Sequence, residues 1–135
     1  MKIKIYSLLV IAALFSPMAY SEVSIIVHPS NTNSFSKNDI SRLFLGKSKS
    51  FPNGDPAIPI ALNDDTANEF NQNLLGKSAS QLKAYWAKLV FTGKATPPKK
   101  VSKVEMLELI KNNPNMIGYS DSSVVFTDQK VIGKY

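Results

Sequence analysis

Three residues close together, His28, Ser30 and Asn31, carry an imidazole, a hydroxyl and a carboxamide that could hold a small polar solute. They follow VSIIV at Val23–Val27, a β-branched apolar run that reads as a buried strand halted at Pro29. A second polar group, Asn63, Asp64, Asp65 and Thr66, follows the apolar run Ile58–Leu62 and opens a helical pattern. Open α/β sheets bind ligands outside the carboxyl ends of their strands, and the first N–H groups of a helix point at that same edge. The two segments are expected to meet in one polar hollow, with Tyr119 and Ser120 beside them. Simpler readings stand next to each: His28 can donate to a nearby carbonyl, and Asn63–Thr66 can serve only as helix caps.

Other chemistries find no constellation. The triplets Gly46-Lys47-Ser48 and Gly76-Lys77-Ser78 invite a phosphate-loop reading, but that motif needs a glycine five residues earlier, where Ser41 and Asn71 stand. Both triplets read instead as helix ends, with glycine as a left-handed cap. No G-x-S-x-G elbow is present, and His28 is the only histidine. Cysteine is absent, which excludes a thiol nucleophile, a thiolate metal site and a disulfide framework. The expectation is a protein that binds and does not catalyse, with no cofactor and no metal.

The elements that must position the polar segments are legible from caps and periods. Ser36 and Asp39 form a capping box ahead of Ile40, Leu43 and Phe44. Ala67, Phe70 and Leu74 give the inner face of a helix opened at Asp64–Thr66. Ser78 and Gln81 form a second capping box ahead of Leu82, Tyr85, Trp86, Leu89 and Val90 at helical spacing, with Tyr85 and Trp86 read as core. Residues 93–100 read as a loop holding Pro97 and Pro98. Ser102 and Glu105 repeat the capping box ahead of a helix carrying Met106, Leu107 and Ile110, and short strands are expected over 116–119 and 131–132. Pro59, unable to donate to a ladder, points to an edge or a strand start. Alternation of strands and helices predicts an α/β sandwich, a mixed sheet flanked by helices.

At the amino end, Lys2 and Lys4 precede an apolar run, and Ala19 and Ser21 obey the small-x-small rule, which predicts a cleavable signal over 1–21 and a single domain over 22–135. The protein is therefore expected in the periplasm and not embedded in the membrane after cleavage. Without the two signal lysines, 14 basic residues face 10 acidic ones, a net charge of +4 that favours anionic partners only weakly. No nucleic-acid partner is expected. The lysines Lys94, Lys99, Lys100 and Lys103 read as a solvated loop, or as a dock for anionic lipid or a partner.

The order VHPSN, LFLGK, FPNG, IPIAL, T-x-x-x-F, LKAYW, FTGK with two prolines, and NPNMIGYSD resembles the short phosphate ABC transporter-type substrate-binding proteins of the type 2 periplasmic binding protein superfamily. The resemblance implies a lobe of a clamp that closes on an oxyanion and a solute-binding role beside a membrane transporter; an adaptor for a membrane transporter or sensor is the alternative. It also implies that an arginine and a Ser-Gly-Thr turn grip phosphate. Thr66 matches that threonine and Phe70 the aromatic after it, but Asp64 and Asp65 stand in place of serine and glycine, and no arginine lies near Leu62. Two carboxylates facing a phosphate repel it, so tight phosphate binding is not expected.

Overall fold

The computed structural model describes residues 21–135. The apolar run Val23–Val27 forms β1, in which every residue is buried. A strand buried on both faces needs neighbours on both edges, and β1 has them: β4 (Met116–Asp121) and β5 (Lys130–Lys134), both antiparallel to it. Beyond β4 come β2 (Ile58–Leu62) and β3 (Lys99–Val101), parallel to one another, with β2 also parallel to β4. The sheet is thus mixed, in the order β3-β2-β4-β1-β5.

Strand β3 occupies part of the segment read as a loop. It is three residues long and begins with two lysines, so it carries no apolar alternation to announce it. Pro59 also departs from expectation, since β2 is an interior strand. The N–H of Ile58 bonds to Asn115 of the β4 side and that of Asn63 to Val101 of β3. By alternation Pro59 turns toward β3, which begins only opposite Ile60, so no ladder partner meets the proline nitrogen.

Helices cover both faces. α1 (Lys37–Phe44) starts with the expected capping box of Ser36 and Asp39 and buries Ile40, Leu43 and Phe44. α2 (Thr66–Phe70) continues into a π-helical turn over Asn71–Leu75 and buries Phe70 and Leu74. α3 (Ala79–Phe91) has the second capping box, Ser78 with Gln81. α4 (Lys103–Asn112) departs from its expected capping box: Ser102 accepts from the N–H of Glu105, but the Glu105 carboxylate lies toward Lys99 at 3.7 Å and returns no bond, and Met106 and Ile110 are buried.

Alternation along β4 sorts these helices between the faces. Tyr119 stacks on Phe70 with ring centroids 4.0 Å apart and an interplanar angle of 3°, and meets Phe44 edge-on at 5.9 Å, so it faces α1 and α2. Its neighbours Gly118 and Ser120 face the other way, toward α4. A Cβ at Gly118 would overlap Met106 Sδ, so α4 rests directly on the β4 backbone. Gly118→Ala is expected to cost about 1–3 kcal/mol through overpacking. Urea unfolding should show a lower midpoint at an unchanged slope.

Candidate functional site

Strand direction decides which of the polar segments can meet. Val27, the last residue of β1, pairs with Ile117 at the start of β4, and Pro59 near the start of β2 pairs with that same Ile117. The tail of β1 therefore lies at one end of the sheet and the tail of β2 at the other. His28, Ser30 and Asn31 do not share a hollow with Asn63, Asp64, Asp65 and Thr66, which corrects the expectation of a single site. The reason is that β1 runs antiparallel to β4 whereas β2 runs parallel to it.

The first group is occupied with its own loop. His28 Nδ1 lies 2.8 Å from Ser30 Oγ and accepts from the Ser30 N–H at 3.1 Å. Asn31 Oδ1 accepts from both the N–H and the Nδ2 of Asn33, and Lys130 Nζ donates to the Asn31 carbonyl at 2.9 Å. These bonds build a turn, and none of these three residues lines a cavity described below.

The second group stands beside a cavity of about 620 Å³ at the carboxyl ends of β2 and β3. Its floor is Ala61, Leu62 and Tyr119, one wall is the α2 side with Ala67, Asn68 and Asn71, and the other is α3 with Leu82, Lys83 and Trp86. Asn63, Asp64, Lys100 and the two prolines Pro97 and Pro98 complete the rim. Of the nine residues expected in the site, Asn63, Asp64 and Tyr119 line this cavity. Asp65 and Thr66 belong to the adjoining turn, and Ser120 is buried on the opposite face of the sheet.

Asp64 has a structural task as well. Its Oδ1 accepts from the Thr66 N–H at 2.9 Å, its carbonyl accepts from the Ala67 N–H, and the Asp65 carbonyl accepts from the Asn68 N–H. The leading N–H groups of α2 are thereby satisfied within the chain and do not aim at a ligand. The caps-only reading accounts for the backbone of this turn, while the exposed Asp64 carboxylate still borders the cavity.

Tyr119 anchors the floor. Its hydroxyl accepts from the Leu62 N–H at 3.0 Å, deep in the core. Burial, with a smaller push from the Asp64 charge and against the pull of the Leu62 bond, moves the phenol up to about 12 from an ordinary 10.0.

α3 departs from its reading as a core helix: none of its residues is buried. It attaches through the pair expected to be core. The Tyr85 hydroxyl donates to the Leu45 carbonyl at 2.6 Å, and the Trp86 ring lies over Gly46, where a Cβ would come within 3.2 Å of it. Partial loss of water around the half-buried Tyr85 ring raises its phenol. Trp86 forms a partition, lining the main cavity on one side and a second hollow of about 340 Å³ on the other. Sequence reasoning assigned Trp86 to the core and Lys100 to a loop because a 3.6-residue period marks an apolar face without saying what covers it. Asn68 and Asn71 gave no signal of their own.

No family model matches the chain, and no curated protein matches it. Among solved structures it is similar to a putative phosphate ABC transporter substrate-binding protein with bound phosphate from Clostridium perfringens, at TM-score 0.58 and 17% identity over 84% of this chain and 45% of that one. It is likewise similar to an ABC-type phosphate transport receptor from Vibrio cholerae (TM-score 0.55, 12% identity, 84% and 46%) and to PstS from Borrelia burgdorferi (0.54, 13%, 76% and 42%). The chain therefore has the fold of phosphate ABC transporter substrate-binding proteins and spans somewhat less than half the length of these structures. Among the described residues no helix is long and apolar enough to cross a membrane.

Tyr119→Phe keeps the aromatic stack and leaves the Leu62 N–H buried without an acceptor, a loss of about 1–3 kcal/mol. Because the folded phenol holds its proton more tightly than the unfolded one, its contribution is complete below about pH 10 and is lost as the pH rises toward about 12. Melts between pH 9 and pH 12 should fall less steeply for Tyr119→Phe than for the wild type; parallel curves would show that the phenol is not held protonated by the fold.

Proposed function

We propose that this chain is an exported solute-binding module that takes a small organic solute into the cavity beside Trp86. The observation that carries the reading is the position of that cavity, at the carboxyl ends of two parallel strands, where α/β sheets receive ligands. Its volume falls in the range of about 300–1,000 Å³ typical of small-molecule sites. The resemblance and the fold support solute binding over catalysis, and the solved neighbours named for phosphate supply the comparison for its chemistry.

The cavity suits a different solute from bare phosphate. Its walls are largely hydrocarbon from Leu62, Leu75, Leu82, Trp86 and the prolines, a surface that offers an inorganic anion nothing in exchange for its hydration. The N–H groups that would grip an oxyanion at the start of α2 are already bonded. Asp64 contributes a negative charge at the rim, while Lys83 and Lys100 contribute positive ones. A solute with an apolar body and polar ends, cationic or hydroxylated toward Asp64 and anionic or carbonyl-bearing toward the lysines, meets all of these groups. Release to and capture by a membrane transporter is the role this module would serve.

A thermal-shift screen with calorimetric follow-up tests the reading. Millimolar phosphate is expected to leave Tm unchanged, and a shift of several degrees would overturn the exclusion. An organic solute that binds the wild type should bind Trp86→Ala and Asp64→Asn at least about tenfold more weakly, one lost contact of 1.4 kcal/mol being a factor of ten. Asparagine at 64 can still accept from the Thr66 N–H, so that variant separates charge from folding. Binding that survives both changes and disappears with His28→Ala would place the site at the other end of the sheet.

A further inference from the structure

The acidic residues of this chain are unevenly placed. Between Glu69 and Glu105 there is none, while Lys77, Lys83, Lys88, Lys94, Lys99, Lys100 and Lys103 all fall in that interval. The remainder of residues 22–135 holds seven basic and ten acidic residues. The modest overall charge thus conceals a strongly basic stretch, running from Lys77 ahead of α3 through the proline loop and β3 to Lys103 at the start of α4, in a chain whose remainder is acidic. Two of its lysines are paired, Lys99 with Glu105 at 3.7 Å and Lys103 with Asp121 at 2.6 Å. Lys77 sits over the Tyr85 ring. Lys83, Lys88, Lys94 and Lys100 are exposed and form no ion pair among the described residues.

At the end of α3 this basic stretch carries an apolar tip. Phe91 is 93% exposed and Val90 beside it 51% exposed. Lys88 and Lys94, both exposed, stand three residues to either side of Phe91. An exposed phenylalanine flanked by exposed lysines has the composition of a surface that inserts into a lipid headgroup layer: the aromatic side chain enters the acyl boundary and the ammonium groups meet anionic headgroups.

We propose that the end of α3 docks the protein on an anionic phospholipid bilayer, with Phe91 inserted and Lys88 and Lys94 held at the headgroups. A second copy of the chain fits this surface poorly, because matching two such tips would bring like charges together. An acidic protein would need a socket shaped for a protruding ring, whereas a bilayer deforms around one. The surface is separate from the cavity floor, so docking leaves the solute site reading untouched and does not depend on it.

Co-sedimentation with vesicles tests the proposal, using pure phosphatidylcholine and the same lipid with phosphatidylglycerol added. The purified protein should partition at least about tenfold more strongly onto the anionic vesicles. Half-molar salt should release it, because screening shortens the reach of surface charge to a few ångströms. Phe91→Ser and the pair Lys88→Glu with Lys94→Glu should each weaken binding several-fold. These positions are exposed, and each variant is made in the same chain, so residues 1–20 contribute equally to all. Equal partitioning onto both vesicle types, or binding indifferent to Phe91→Ser, overturns the proposal. Sedimentation velocity adds a further arm: a wild-type dimer that Phe91→Ser dissociates would show that a second copy covers the tip and would also overturn it.

Discussion

The hydrogen bond from the Leu62 N–H to the Tyr119 hydroxyl holds together the part of the sheet on which the cavity is built. The ladder between β2 and β4 covers only Ile58 with Met116 and Pro59 with Ile117, after which the two strands exchange no further register pair. Where the backbone ladder stops, a side chain takes over, and the Tyr119 hydroxyl meets the amide that would otherwise be buried without an acceptor. The same ring is the platform for Phe70 and Phe44, which bring α2 and α1 down onto the sheet. One residue thus closes a gap in the sheet, positions two helices and forms the floor of the cavity. A site placed where strands part has space outside their ends, and here that space is walled by helices anchored to the same tyrosine.

α3 stands in a different relation to the fold. Its attachment is local, through Tyr85 to the Leu45 carbonyl and Trp86 over Gly46, and the rest of its apolar stripe is left half-buried or exposed. Gly46 has φ of +70°, so it serves at once as the left-handed end of α1 and as the one place where the indole can approach the backbone closely. A helix held through two adjacent side chains can tilt at lower cost than one packed along its length, because few buried contacts have to break. It is also the helix with lysines and no carboxylates. Sparse packing and positive charge therefore coincide on one wall of the cavity.

Most of the local signals in the sequence correspond to local structure, the half-formed cap at Ser102 excepted. The capping boxes at Ser36 and Ser78 form as expected, since each depends on residues three apart. The buried strand at Val23–Val27 was legible from its β-branched run, and the aromatic at Phe70 from its spacing after Thr66. The mixed sheet flanked by helices is the fold observed, and the resemblance to phosphate transporter-type binding proteins agrees with the solved neighbours. What stayed hidden was relational. Nothing within VSIIVHPSN states whether that strand runs with β2 or against it, and this choice alone sends His28 to the far end from Asp64. β3 was too short and too polar to announce itself, and the stripe of α3 could not say that its neighbour is a hollow. The leader expected over 1–21 falls, apart from Ser21, outside the described residues.

The open wall also shapes how the cavity can hold a solute. Asp64, Lys83 and Lys100 are exposed at its rim, so water and salt screen their pull, and each contributes more to orientation and capture than to residence. Apolar contact is not screened in that way. Burial of a solute against Leu62, Leu82 and Trp86 removes hydrocarbon from water on both sides, at about 25 cal/mol for each Å². For a solute held in this cavity, affinity would therefore come mainly from its hydrocarbon body, with the rim charges choosing its orientation. That division of labour is the reverse of a phosphate site, in which bonded N–H groups and charge supply nearly all of the hold.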